Sequence, residues 1–166
     1  MNVLAIDPGP ETSGVVHIVD GKPIFREVLD NKDISPELLG DFTDTCVAIE
    51  MIAHYGTGMP AGKSVFLTCV EIGKISERFE SADITPRLVE RGKIKLWLCG
   101  TARAKDANIR QALLDRFPAS GGGKTPQIGT KQKPGLLYGF KSHLWAALAL
   151  ALYAAETNLT NVADAA

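Results

Sequence analysis

Short apolar runs broken by Gly- and Pro-containing turns fill the first third of the chain, and apolar residues at helical spacing fill most of the rest. Val3-Leu4-Ala5-Ile6 predicts a buried strand, stopped by Asp7-Pro8-Gly9-Pro10. Residues 12–19 predict a second strand, Asp20-Gly21-Lys22-Pro23 a hairpin turn, and residues 24–29 a third strand. Ser35 is placed to cap a short helix that starts at Pro36. Cys46-Val47-Ala48-Ile49 then predicts a fourth strand, which ends at Glu50. A glycine-rich loop over 54–62 leads into a long helix over 63–79, in which Val65, Cys69, Ile72, Ile75 and Phe79 recur near helical spacing. Ile94 to Cys99 alternates as a fifth strand would, and 106–117 is amphipathic, with Ile109, Leu113 and Phe117 on one face and Arg110 off it. Residues 120–135 predict a mobile basic loop, and 142–155 a final apolar helix. Three antiparallel strands, a strand–helix–strand–helix series and a terminal helix define one α/β domain over 1–157, with a tail over 158–166.

Composition leaves this picture unchanged. The chain has 166 residues, enough for one core. Its longest apolar stretch, 144–155, is too short to span a bilayer. No basic segment followed by an apolar one marks a secretory leader. Cys46, Cys69 and Cys99 lack CxxC spacing and read as buried thiols of a reducing compartment, so the expected setting is cytoplasmic, or organellar or viral within a cell.

Charge changes the picture more. The net charge is only −1, but between Thr85 and Trp145 stand twelve basic residues and three acids, a local +9 against −10 elsewhere. Such asymmetry points to a face for a polyanion. Asp7 and Glu50 each close an apolar strand, and two neighbouring parallel strands would bring both to the carboxyl edge of the sheet, where open α/β sheets bind ligands. Carboxylates fixed on strand ends suit metal-dependent phosphoryl transfer.

The order of these parts resembles the RNase H-like superfamily, a five-stranded mixed sheet flanked by helices, and within it the RuvC-type Holliday junction resolvases. The residues that carry the resemblance are Ile6-Asp7-Pro8-Gly9, Ala48-Ile49-Glu50 and 142–149, Ser-His-Leu-Trp-Ala-Ala-Leu-Ala. Residues 98–113, from Leu98-Cys99-Gly100-Thr101 to Leu113, resemble a phage-type branch. The resemblance implies a homodimeric nuclease of DNA recombination and repair that binds four-way junctions and cuts two strands symmetrically. It also implies Mg²⁺, with Mn²⁺ as substitute, as two ions per site. Asp7 matches the first ligand, Glu50 the second and His143 the third. The fourth, usually Asp, falls at Ala146, one turn after His143, and alanine cannot ligate. That departure leaves three readings: a chain altered to trap its substrate, a branch that works with Asp7, Glu50, His143 and water, or a junction binder that does not cut.

For such a nuclease the expected DNA contacts are Arg103, Lys105, Arg110, Lys131, Lys133 and Lys141, with Lys63 directing the long helix towards a phosphate. Tyr55 is placed to stack on an unpaired base. The long helix, through Phe66, Ile72 and Phe79, is the candidate dimer face. An actin-like phosphotransferase also begins with an Asp-x-Gly turn, but it needs a second domain and a second Asp-Gly nucleotide motif, so no nucleotide cofactor is expected.

Overall fold

The structure, a computed structural model, describes residues 1–42, 44–52 and 62–157. Five strands form one sheet in the order β3-β2-β1-β4-β5. The strands are β1 (Asn2–Asp7), β2 (Thr12–Val19), β3 (Lys22–Asp30), β4 (Thr45–Met51) and β5 (Arg87–Glu90). β1 to β3 run antiparallel, and β1, β4 and β5 are parallel. The β2–β3 turn places Asp20 at φ 48° and Gly21 at φ 75°, the left-handed pair that a two-residue hairpin favours.

Period-two alternation sorts each central strand between two cores. Leu4 and Ile6 of β1, with Val47 and Ile49 of β4, pack under α1 (Lys63–Glu80), which lays Ile72, Ile75 and Phe79 on that face. Val3, Ala5 and Ala48 face the other way, onto the core built by α4 (Leu144–Glu156) and by Ile109 and Leu113 of α3 (Asp106–Arg116). Both faces are covered, which is why these strands read as continuous apolar runs. Each fully buried Leu or Ile stabilises the fold by roughly 1.5–3 kcal/mol. α4 has thirteen residues, nine of them buried, and among the described residues no helix is long and apolar enough to cross a membrane.

Five expectations are corrected. Residues Ile94 to Cys99 are not a strand: they belong to α2 (Arg91–Cys99), and the fifth strand precedes it at Arg87–Glu90. Ile94 is buried, Trp97 and Leu98 pack partly beside it, and Leu96 faces solvent, so the spacing is helical. Gly100, at φ 72°, ends the helix and donates its N–H to the Leu96 carbonyl.

The basic segment after α3 is folded, not mobile. Gly121, Gly122, Gly135 and Leu137 donate backbone hydrogen bonds to Pro126, Lys133, Ile128 and Gln127. A side chain at Gly121, Gly129 or Gly135 would strike neighbouring backbone, so the chain folds tightly because these positions lack one. Leu137 and Phe140 sink into the α4 core. Arg26 of β3 donates from Nε to the Tyr138 carbonyl at 2.7 Å and lies over the Phe140 ring.

The cysteines are not all buried: Cys69 is exposed, and Cys46 and Cys99 are half-buried. Ile72 and Phe79 belong to the core under α1, so only Phe66 of the expected dimer face is exposed, alongside Leu67 and Val70. The short helix at Pro36–Leu39 is a 3-10 turn, and Ser35 makes no side-chain cap.

Candidate active site

Asp7 ends β1, and the parallel register of β1 with β4 sets Ile6 beside Ile49, so the next residues, Asp7 and Glu50, are level. Both share the parity of Ala5 and Ala48 and therefore face α4. Glu50 is in turn beside Val89 of β5, and Arg91 follows that strand directly as the first residue of α2. Three parallel strand ends thus deliver two acids and an arginine to one mouth.

β2 brings the start of α4 against the same mouth. Gly14, paired with Asp7, lies so close to His143 that an added Cβ would stand 2.7–2.8 Å from the His143 backbone and Cβ. His143 thereby reaches Asp7, with Nδ1 to Oδ2 at 2.8 Å. The Nδ1–H tautomer donates this bond and leaves Nε2 as the ring's remaining ligand atom.

Ala for Gly14 is therefore expected to force the two elements apart. Overpacking of this kind costs about 1–3 kcal/mol. Denaturant unfolding measures the loss, and imidazole NMR should show His143 titrating lower as its bond to Asp7 lengthens. An unchanged His143 titration would mean that the close approach does not hold the pair together.

Arg91 is the hub of the site's charges. Nη1 stands 2.8 Å from Glu50 Oε1 and 4.0 Å from Asp7 Oδ1, and Nη2 lies 2.9 Å from Asp106 Oδ1. Burial works against the guanidinium charge, but Glu50, Asp106 and Asp7 outweigh it and hold it protonated. Glu50 has an 11% exposed side chain, and burial together with the Asp7 charge pushes its carboxyl up to about 7 against the pull of Arg91. The hydrogen bond to Asp7 raises the His143 imidazole above its usual value, despite partial burial.

These groups open into a cleft of about 870 Å³. Ala146 lies on its wall, beside Trp145 and His143, so the position without a donor does face the site. Arg110 and Lys141 also line the cleft, and the Arg110 guanidinium sits 5.3 Å over the Trp145 ring. Among the described residues, the other expected DNA contacts lie outside its lining. Arg103 and Lys105 are exposed between α2 and α3, Lys131 and Lys133 are exposed on the folded loop, and Lys63 is exposed at the start of α1, next to cleft-lining Ser64. Tyr55 lies outside the described residues.

Among the described residues no three His, Cys, Asp or Glu side chains converge closely enough to hold a metal ion as they stand. The donor chemistry nonetheless suits a hard divalent cation, with two carboxylates and one imidazole at a single mouth. A cation already stands among the acids: the Arg91 guanidinium. Arg91 and Asp106 were not singled out as site residues in the sequence. The signal for them is the end of β5, which becomes visible only once that strand is placed at Arg87–Glu90.

The mixed five-stranded sheet with its flanking helices is an RNase H-like fold, which RuvC structures share. The chain superimposes on T. thermophilus RuvC in complex with a Holliday junction substrate with a TM-score of 0.65 and 20% identity, over 95% of this chain and 94% of that one. A second Thermus thermophilus RuvC structure gives a TM-score of 0.62 at 20% identity, over 95% and 97% of the two chains. No family model and no curated protein sequence matches the chain.

Proposed function

We propose that the protein is a metal-dependent endonuclease that binds four-way DNA junctions and cuts them by hydrolysis. The observation that carries this reading is the placement of Asp7 and Glu50 side by side at adjacent parallel strand ends, with His143 bonded to Asp7 and an open cleft before them. The likeness of the fold to a RuvC solved with a Holliday junction supports branched DNA as the substrate.

Asp7 and Glu50 would hold the divalent ion, and the His143 imidazole would join them by giving up its bond to Asp7. A bound Mg²⁺ or Mn²⁺ supplies Lewis-acid polarisation of a phosphoryl oxygen and a more acidic water. The protein's own residues do the rest. Arg110 and Lys141 hold the flanking phosphates at the cleft, and Trp145 beneath Arg110 fixes the angle of its guanidinium. In the metal-free protein Asp7 orients the His143 ring. In the hydrolysis a water oxygen bonds to phosphorus and the bond from phosphorus to the 3′-oxygen breaks. One water proton leaves to solvent and the 3′-oxygen takes up another, giving a 5′-phosphate and a 3′-hydroxyl. A second protomer would dock on the apolar strip of Phe66, Leu67 and Val70 along α1.

A second reading, a junction binder that does not cut, is favoured by Ala146 and by the engagement of Glu50 with Arg91. The two separate in one experiment: a labelled junction is incubated with the wild type and with Ala146→Asp, in Mg²⁺ and in Mn²⁺. Under the nuclease reading the wild type cuts in Mn²⁺, which accepts imidazole more readily, and the added carboxylate lowers the metal concentration needed by about tenfold. Tight binding by both proteins with no cutting by either would establish the binder.

A further inference from the structure

We propose that Arg91 is a catalytic phosphate ligand of this nuclease: it rests on Glu50 until a divalent ion takes that carboxylate, and Asp106 then keeps it at the cleft. The inference rests on the nuclease reading above and assigns a role to two residues which that reading leaves idle.

The two grips on the guanidinium are unlike. Glu50 holds Nη1 from a nearly buried position, and Asp106 holds Nη2 from a carboxylate that is 83% exposed, at the first position of α3. A divalent ion on Glu50 would repel a guanidinium that stands 2.8 Å from the same carboxylate, and in a partly dry site that repulsion weakens the Arg91 hold. A bound ion, with twice the charge on a smaller radius, would take the carboxylate. Arg91 then loses Nη1 contact only, and its bond to Asp106 lets it pivot instead of leaving. Asp106 lines the same cleft as Asp7 and Glu50, so the freed edge of the fork turns towards the space a scissile phosphate would fill. A planar fork of N–H donors matches two phosphoryl oxygens.

Charge bookkeeping supports the same role. With Glu50 ionised on the ion, Asp7, Glu50 and Asp106 with Arg91 carry net −2, which a single divalent ion would neutralise. The site faces a cleft wall with Ala146 where a further acid would favour a second ion. With one ion, the second positive charge on the phosphoryl group in the transition state has to come from the protein. Arg91 is the arginine already among these carboxylates.

The test uses the full chain with Arg91→Gln, Arg91→Lys, Asp106→Asn and Asp7→Asn, each checked for folding by circular dichroism. Mn²⁺ affinity is measured by calorimetry without DNA, and junction cleavage in a single turnover at saturating Mn²⁺. Arg91→Gln removes the competing cation, so Mn²⁺ should bind about fivefold tighter or more, while cleavage falls about 100-fold, as for loss of one charged transition-state donor. Arg91→Lys keeps the charge but not the fork. It should bind Mn²⁺ nearly as the wild type does and cut about tenfold slower, and it carries the test if the Gln variant does not fold. Asp106→Asn should also slow cutting by about tenfold. Wild-type cleavage by Arg91→Gln, or by Arg91→Lys where the Gln variant does not fold, would overturn the inference, as would weaker Mn²⁺ binding by the Gln variant. That would make the arginine a structural partner of Glu50 and leave the nuclease reading standing. If the wild type neither cuts nor loses Mn²⁺ binding on Asp7→Asn, the nuclease reading itself fails and takes this inference with it.

Discussion

Asparagine in place of Asp7 is expected to abolish junction cleavage, by about a thousandfold or more, with little change in junction binding. Loss of one preorganised group at a transition state costs about 10²–10³ in rate, and Asp7 serves the site twice. In the proposed site it is a strand-end carboxylate for the ion, and it bonds Nδ1 of His143 at 2.8 Å. Asparagine keeps the shape, so β1 and its pairing with Gly14 should persist. It removes the negative charge and substitutes a weaker acceptor for the imidazole. In the proposed complex, binding would rest mostly on phosphate contacts from Arg110, Lys141 and the exposed basic residues around them, and these are untouched. Removing one acid from the cleft should if anything tighten binding at low salt. Single-turnover cleavage and a gel-shift titration in the same buffer separate the two effects. A variant that cuts within tenfold of the wild type would remove Asp7 from the centre.

Glutamine in place of Glu50 is expected to stabilise the metal-free protein at alkaline pH. Glu50 has its carboxyl raised from 4.5 to about 7, with burial as the first cause and the Asp7 charge as the second. A group with a raised folded value binds its proton more readily in the native state than in the unfolded chain. Its stabilising contribution is therefore complete below about pH 4.5 and is lost as pH rises through about 7. A shift of this size corresponds to on the order of 3 kcal/mol. His143, also raised, adds a stabilising contribution of the same sign, complete below its ordinary value and lost as pH climbs through the raised one. Urea unfolding in EDTA should thus show stability falling between pH 5 and pH 8 in the wild type. Glu50→Gln should remove most of that slope and leave the His143 part. An undiminished slope in the variant would locate the titration elsewhere. Metal binding should offset the wild-type loss, because the ion favours the ionised carboxylate.

Much of this site is legible in the sequence, for a physical reason. Strands covered on both faces read as unbroken apolar runs, so the residue where each run stops marks the carboxyl edge. Asp7 and Glu50 are such residues, and their parity with Ala5 and Ala48 sends them to one face. His143 has no comparable local signal, since a histidine before an apolar helix is common, and it came from the family resemblance alone. Ala146 was visible for the same reason, as a gap in that resemblance.

The fifth strand was lost because it is four residues long with only Val89 buried, so no run announces it. The alternation just after it, Ile94, Leu96 and Leu98, imitates a strand, while Ile94, Trp97 and Leu98 fit a helix equally well. The choice between them comes from packing and from Gly100, not from the local pattern. Displacing that strand also hid Arg91, because the residue after a strand end earns attention only when the end is placed correctly. The folded basic loop escaped for a different reason. Its order comes from three glycines whose backbones touch, a contact between residues far apart in the segment that leaves no periodic trace.

The most direct test of the central claim is the mapping of nicks on a synthetic four-way junction, labelled on one strand at a time and incubated with the wild-type protein in Mn²⁺ or in EDTA. The expected result is paired nicks at symmetric positions on two opposing strands, with 5′-phosphate ends, in Mn²⁺ only. Cutting that persists in EDTA, or that strikes linear duplex as readily as the junction, would contradict the claim.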